Sequence, residues 1–260
     1  MLRTASHQAD APAVQGGIRF LIQATREHPL PKKKPGGRGE HTRYAGYGLL
    51  ELSEYENAAR QPDVAEAIEG CIRVLERFAR AKGGWPEMRG ERPLSLFQTA
   101  TGIIALQRVA PGHRLIEPAV KAMLGLRKAG GYRARSGPGD PSVPHTALAA
   151  IALRQVGYRR EAGAAAAWLG ERPATWCDRI HSDSGVPGTG WTHMSFGLGL
   201  RALVLAGDVA CDDSRIRAAR KYIDELWSAS EQEWRDGSVE EDRTSVRATY
   251  ATVLAYRALA

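Results

Sequence analysis

Cationic side chains recur beside a repeated turn and at the start of the helix that follows it. Arg133 and Arg135 directly follow the Gly-Gly-Tyr turn at 130–132, and His145 comes just before Thr146. A guanidinium presents a planar fork of donors that suits the oxygens of a phosphate. The pattern therefore predicts an anion-binding mouth, with simple solvation of the loop arginines as the alternative. The predicted ligand-binding residues are Arg89, Arg133, Arg135, His145, His193 and Arg247.

A repeat positions these residues along the chain. It reads GGWPEMRGERPLSLFQTATGIIAL at 83–106 and GGYRARSGPGDPSVPHTALAAIAL at 130–153. Thr99 and Thr146 lie 47 residues apart, and His193 follows Thr146 by another 47. Looser copies stand at 40–52 and 245–259. A period in the range of about 20 to 50 residues indicates stacked supersecondary units.

Each repeat is predicted to pair two kinds of helix. The segments 62–81 and 214–227 carry an apolar stripe against a charged back, which is typical of half-buried helices. The repeat helices TATGIIAL, TALAAIAL and FGLGLRAL are apolar or small nearly all round, which indicates helices covered on both sides. We expect the Gly-Gly turns to end the outer helices as C-caps, since glycine tolerates positive φ.

Five such hairpins predict an all-α domain, an α/α toroid with inner and outer helix rings. An open solenoid is the competing arrangement. Residues 1–10 are predicted to be a flexible N-terminus and residues 11–260 a single domain, with the helix at 11–28 closing the wall or the ring left incomplete. The N-terminal ends of the inner helices would converge on one rim and attract anions. The predicted cavity residues are Tyr44, Phe97, Gln98, Thr99, Thr146, Trp191 and Phe196, with core packing as the alternative for the aromatic side chains.

Composition limits the partners and the compartment. Lys and Arg number 36 against 29 Asp and Glu, a net charge of +7 that favours anionic partners. No run of about 18 apolar residues and no export signal occur, so we expect a cytoplasmic protein that does not span a membrane. Cys71, Cys177 and Cys211 suit reduced thiols. Only the basic loop at 31–43 approaches a nucleic-acid-binding pattern, so nucleic acid is not an expected partner.

At the Gly-Gly-aromatic turn and the Thr-Ala helix start, the chain resembles the terpenoid cyclase and protein prenyltransferase superfamily. The resemblance covers about residues 36–260 and is strongest at 83–157 and 185–206. It implies a toroid of squalene-cyclase-like repeats that holds an isoprenoid in its central cavity. In the prenyltransferases, Arg and Lys after this turn bind the isoprenoid diphosphate, and Arg135 stands at the matching offset.

The chain departs from that superfamily at its catalytic motifs. Cyclases protonate an alkene with an acidic DxDD motif, but His145 stands where its last aspartate would be, and a histidine is too weak an acid. Prenyltransferases hold zinc with an Asp-x-Cys that opens an inner helix, and no inner helix here opens that way. No cofactor is therefore expected. Zinc or magnesium stays a lesser option, because His41, His145 and His193 would suffice for zinc if they met at one rim.

Two functions of different classes follow. The leading prediction is a terpenoid cyclase- or prenyltransferase-like toroid that binds an isoprenoid or a similar anionic amphiphile, with turnover as a lyase or transferase left open. The alternative is a non-catalytic toroid that acts as a protein-interaction or sensing module. A second copy or a partner chain that closes the ring is compatible with both.

Overall fold

Helices dominate the chain in the computed structural model. The structure describes residues 19, 22–23, 49, 62–87, 93–171, 192–210, 212–225, 227–228 and 233–234. Its helices are α1 (Pro62–Phe78), α2 (Leu96–Val109), α3 (Ile116–Leu124), α4 (Val143–Gln155), α5 (Arg159–Gly170), α6 (Thr192–Gly207) and α7 (Ser214–Glu225). Its strands form two antiparallel pairs, β1 (Arg127–Lys128) with β2 (Gly131–Tyr132) and β3 (Trp227–Ser228) with β4 (Glu233–Trp234). The predicted helical class is confirmed.

The chain divides into two compact units. The N-terminal unit holds residues 2–126 and 135–138, and the C-terminal unit holds residues 127–134 and 139–260. The prediction of one domain over 11–260 stays a prediction. The predicted flexible N-terminus at 1–10 and the repeat copy at 245–259 lie outside the described residues, as does the copy at 40–52 apart from Leu49. Of the predicted helix at 11–28, residues 19, 22 and 23 are described, and they are helical.

In the N-terminal unit, α2 is the covered helix and α1 the amphipathic one. Residues 98–106 of α2 are all buried, whereas α1 buries only one side, which includes Val64, Cys71 and Leu75. Helix α2 packs against both α1 and α3. The side-chain oxygen of Ser95 accepts a hydrogen bond from the N–H of Gln98 at 3.4 Å, which caps the start of α2.

In the C-terminal unit, α4 is covered on two sides. Every residue of α4 from Val143 to Leu153 is buried, and the helix packs against both α5 and α6. Helix α5 turns a face of small residues inward, with Ala162, Ala165 and Ala166 buried. Helix α7 packs on α6. The near absence of polar residues from α4 predicted this double covering correctly.

The Gly-Gly turns do not cap the outer helices, so that expectation is wrong. Helix α1 ends at Phe78, before Gly83, and the second Gly-Gly turn lies within the β1–β2 hairpin, after α3 has ended at Leu124. Ala129 and Gly130 link β1 to β2 with φ values of 45° and 87°. Positive φ at both central residues is what the tightest hairpin turns require. Glycine is needed here to reverse the chain between two short strands.

The described helices are short. The longest of them, α1, has 17 residues and carries charge along one face. None of the helices within the described ranges has the length and apolar character that crossing a bilayer requires.

Candidate functional site

The turn of the first repeat is hydrogen-bonded to the start of the covered helix. The N–H of Trp85 donates to Thr99 Oγ1 at 3.1 Å, and the N–H of Ser95 donates to the carbonyl of Trp85 at 3.0 Å. The Thr99 hydroxyl itself donates to the carbonyl of Ser95 at 2.7 Å. Gly84 must be glycine, because its φ is +70° and a Cβ would lie 2.9 Å from Thr99 Oγ1. We call this hydrogen bond, from the backbone N–H of the aromatic residue to the threonine hydroxyl oxygen, the turn–helix link.

The second repeat builds the same link in the C-terminal unit. The N–H of Tyr132 donates to Thr146 Oγ1 at 2.9 Å, and the N–H of Ser142 donates to the carbonyl of Tyr132 at 3.1 Å. The Tyr132 ring is fully buried, and its hydroxyl has no hydrogen-bond partner within the described part of the chain. Burial raises the pKa of Tyr132 to about 12, so the hydroxyl keeps its proton at neutral pH.

The repeat threonines therefore have a structural role that the sequence reasoning missed. Thr99 and Thr146 are fully buried, and backbone groups of the turn engage both hydroxyls. The signal was present in the sequence, because aromatic residue and threonine stand 14 positions apart in both copies. Next to Thr99 in α2, Gln98 is buried and Phe97 is half-buried. That these four residues line a cavity stays a prediction.

The two arginines of the GGYRAR loop lie at the N-terminal ends of the two covered helices. In the N-terminal unit, the backbone of Arg135 forms an isolated bridge with Ser95, the N-cap residue of α2. In the C-terminal unit, the backbone of Arg133 forms one with Pro141, next to the N-cap residue of α4. The side chain of Arg135 is exposed and makes an ion pair with Glu87. That carboxylate competes with any anion for this guanidinium.

His145 lies in the first turn of α4 and is almost fully buried. Its Nδ1 is 2.6 Å from the hydroxyl oxygen of Ser142, and which of the two donates depends on the imidazole tautomer. Ser142 is the N-cap residue of α4, but its side chain bonds the histidine and makes no capping hydrogen bond. The contact fixes the orientation of the ring. A buried, oriented imidazole can give or take a proton from a bound molecule.

The other predicted residues are described in part or not at all. His193 and Phe196 fall within α6, and for these two residues only the backbone is described. The residues outside the described part are Arg89, Arg247, Tyr44 and Trp191. Across the residues with described side chains, no group of three or more His, Cys, Asp and Glu is placed to hold a metal ion.

Comparison with known proteins identifies the architecture. No family model matches the sequence, and no curated protein is significantly similar to it. Among solved structures, the chain is similar to a D-mannose isomerase, with a TM-score of 0.61 and 12% identical residues over 94% of this chain and 82% of the isomerase chain. At that identity the likeness shows the fold alone. The chain has an all-α fold of the α/α toroid kind, as the repeat predicted.

Proposed function

We propose that this chain binds an anionic amphiphile of the isoprenoid diphosphate class at the N-terminal end of α4, the covered helix of its C-terminal unit. One observation carries the proposal: the backbone of Arg133 is bridged to Pro141, next to the N-cap residue of α4. Helix N-termini present free N–H groups and a partial positive charge, which favour a bound anion. The guanidinium of Arg133 would add charge-assisted hydrogen bonds to the phosphate oxygens.

The apolar part of the ligand would lie against α4. This helix carries almost only apolar and small residues before its last turn, and its hydroxyl group at Thr146 is already hydrogen-bonded. The proposal is one of binding and includes no protonation of an alkene. His145 stands where the cyclase motif would supply a strong acid, and an imidazole does not replace a carboxylic acid in that step.

Calorimetric titration with farnesyl diphosphate tests the proposal. Wild-type protein is expected to bind the diphosphate and not farnesol, which lacks the anionic head. Arg133→Gln is expected to weaken binding about tenfold or more, because a hydrogen bond to a charged group contributes about 1.5–3 kcal/mol. The matched control is Arg73→Gln, which removes the same charge from an exposed position of α1 that is paired with Glu69 at 3.5 Å. Absence of heat with wild type, or equal weakening by both variants, would reject the proposal.

A second candidate is an aldose–ketose isomerase. The buried contact between His145 and Ser142, together with the fold likeness to a D-mannose isomerase, favours it. Proton transfer between neighbouring carbons needs a positioned acid–base group, a role that imidazole often fills. Incubation with D-mannose and analysis of ketose formation tests this candidate, with His145→Asn as the inactive control. If the wild type forms no ketose and binds no farnesyl diphosphate, the interaction module remains as the alternative.

A further inference from the structure

A cationic groove lies in the C-terminal unit, away from the residues of the proposed function. It encloses about 380 Å³ between α5, the last turns of α6 and the start of α7. Its charged lining residues are Arg154, Arg159, Arg215 and Asp208. The volume falls at the lower end of the range of about 300–1,000 Å³ that small-molecule sites occupy. The groove has room for a small metabolite and a surplus of positive charge.

The groove lies at the C-terminal end of α4, whereas His145 lies in the first turn of that helix. Arg154 is in the last turn of that helix, nine residues after His145, which corresponds to about 13 Å along the helix axis. Arg159 is the first residue of α5 and Arg215 the second of α7. The lining thus contains none of the residues predicted from the sequence to bind a ligand, and a test of one site does not depend on the other.

Of the three guanidinium groups, those of Arg154 and Arg215 pair with an aspartate, and that of Arg159 has no ion-pair partner among the described residues. Arg154 Nη2 is 3.4 Å from Asp208 Oδ1, and the aspartate side chain is 78% exposed, so this pair is weak. Arg159 is exposed, and its side chain makes no hydrogen bond or ion pair with any residue that the structure describes. Positive charge that the protein does not neutralise attracts an anion from solution.

Arg215 is held in a fixed orientation. The backbone N–H and the Nε of Arg215 donate to Asp213 Oδ1 at 2.9 Å and 2.8 Å, and Arg215 Nη2 donates to Asp213 Oδ2 at 2.9 Å. The hydrogen bonds from Arg215 lower the pKa of Asp213 to about 2, so the pair stays charged at neutral pH. Gly170 leaves space for the guanidinium, since a Cβ there would lie 2.7 Å from Nη1. A pre-oriented arginine loses less freedom on binding.

The floor of the groove consists of small residues on α5 and α6. Gly163 and Ala166 line it from α5, and Gly207 lines it from the end of α6. The two helices approach closely there, because a Cβ on Gly207 would lie 3.1 Å from the Cβ of Ala166. Asp208 follows with a φ of 49°, an uncommon conformation outside glycine. That turn ends α6 and places the aspartate beside Arg154.

We propose that this groove binds the phosphate group of a small phosphate ester, with Arg159 and Arg215 as the phosphate-binding residues. The small floor and the volume fit a compact molecule with a compact anionic group. The Arg159 fork matches phosphate oxygens in geometry as well as charge, while Arg215 offers its Nη1 donors beside the Asp213 ion pair. The partial positive charge at the N-terminal end of α5 adds to the same field.

Titration with inorganic pyrophosphate at fixed ionic strength tests the inference. Wild type is expected to bind, and Arg159→Gln is expected to weaken binding about tenfold or more. The matched control is Arg160→Gln, because Arg160 does not line the groove, is 93% exposed and pairs with Glu161 at 3.6 Å. Arg160→Gln is expected to change the affinity less than about twofold, since exposed charges are screened by salt.

The outcomes separate this inference from the proposed function. If Arg159→Gln weakens pyrophosphate binding and Arg133→Gln does not, the result supports binding in the groove. Shifts of the amide signals of Gly163 and Gly207 in a nuclear magnetic resonance titration are expected to accompany it. Absence of pyrophosphate binding to wild type at millimolar concentration, or equal weakening by Arg159→Gln and Arg160→Gln, would overturn the inference.

Discussion

Replacing Thr99 with valine removes the turn–helix link and little else. Valine has nearly the shape of threonine, so the packing around the fully buried side chain is kept. The substitution deletes the acceptor of the Trp85 N–H at 3.1 Å and the donor to the carbonyl of Ser95 at 2.7 Å. The carbonyl of Ser95 still accepts from the backbone N–H of residue 99 at 3.1 Å. The main consequence is therefore one buried N–H without a partner.

The magnitude follows from that orphaned group. An unsatisfied buried donor costs about 1–3 kcal/mol, so the free energy of unfolding is expected to fall by that amount. For a chain of this size, each kcal/mol corresponds to about 2–4 °C in melting temperature. Thr146→Val is expected to cost about the same, because the N–H of Tyr132 bonds Thr146 Oγ1 at 2.9 Å in an equally buried setting.

Urea denaturation and amide hydrogen exchange measure the effect. Thr99→Val is expected to lower the urea midpoint and to speed exchange of the Trp85 amide. The control is Thr101→Val in the same helix, where the threonine is also buried but is not bonded to the turn in the described structure. If Thr101→Val costs as much as Thr99→Val, or if the Trp85 amide exchanges at the wild-type rate in Thr99→Val, the reasoning about the link is refuted.

Two further changes have defined outcomes. Gly84→Ala is expected to destabilise the fold by about 1–3 kcal/mol more than Gly112→Ala in thermal melts. Both glycines have positive φ, but of the two only Gly84 would bring a Cβ against other atoms, the nearest at 2.6 Å. Equal costs of the two substitutions would contradict this. Asp213 has a folded-state pKa of about 2 against an ordinary value of 3.8, so its ion pair with Arg215 stabilises the fold above about pH 4 and is lost as the pH falls toward 2. The stability difference between wild type and Asp213→Asn in urea is therefore expected to shrink over that interval, and a difference independent of pH would contradict the assignment.

The covered helices were predicted from the sequence, whereas the turn–helix link was missed although its signal was present. Helices α2 and α4 are apolar nearly all round, and such a pattern has few solutions other than a helix covered on two sides. The aromatic residue and the threonine of the link stand 14 positions apart in both copies. The cations of the GGYRAR loop could be placed near the helix N-termini because the turn and the helix start are close in sequence.

Very short strands and contacts between residues far apart in sequence were not predictable. The β1–β2 hairpin has strands of two residues each, too short to leave a periodic signal. The ion pair between Arg135 and Glu87 joins residues 48 positions apart. The cationic groove takes its arginines from three helices, and only packing brings Arg154 and Arg215 to one cavity. No spacing rule links the three arginines of the groove, because each belongs to a different helix.

A crystal structure with a non-hydrolysable farnesyl diphosphate analogue tests the central claim most directly. The account predicts density for the diphosphate at the N-terminal end of α4, within hydrogen-bond distance of Arg133. Density for the analogue elsewhere on the protein, with the N-terminal end of α4 unoccupied, would contradict it.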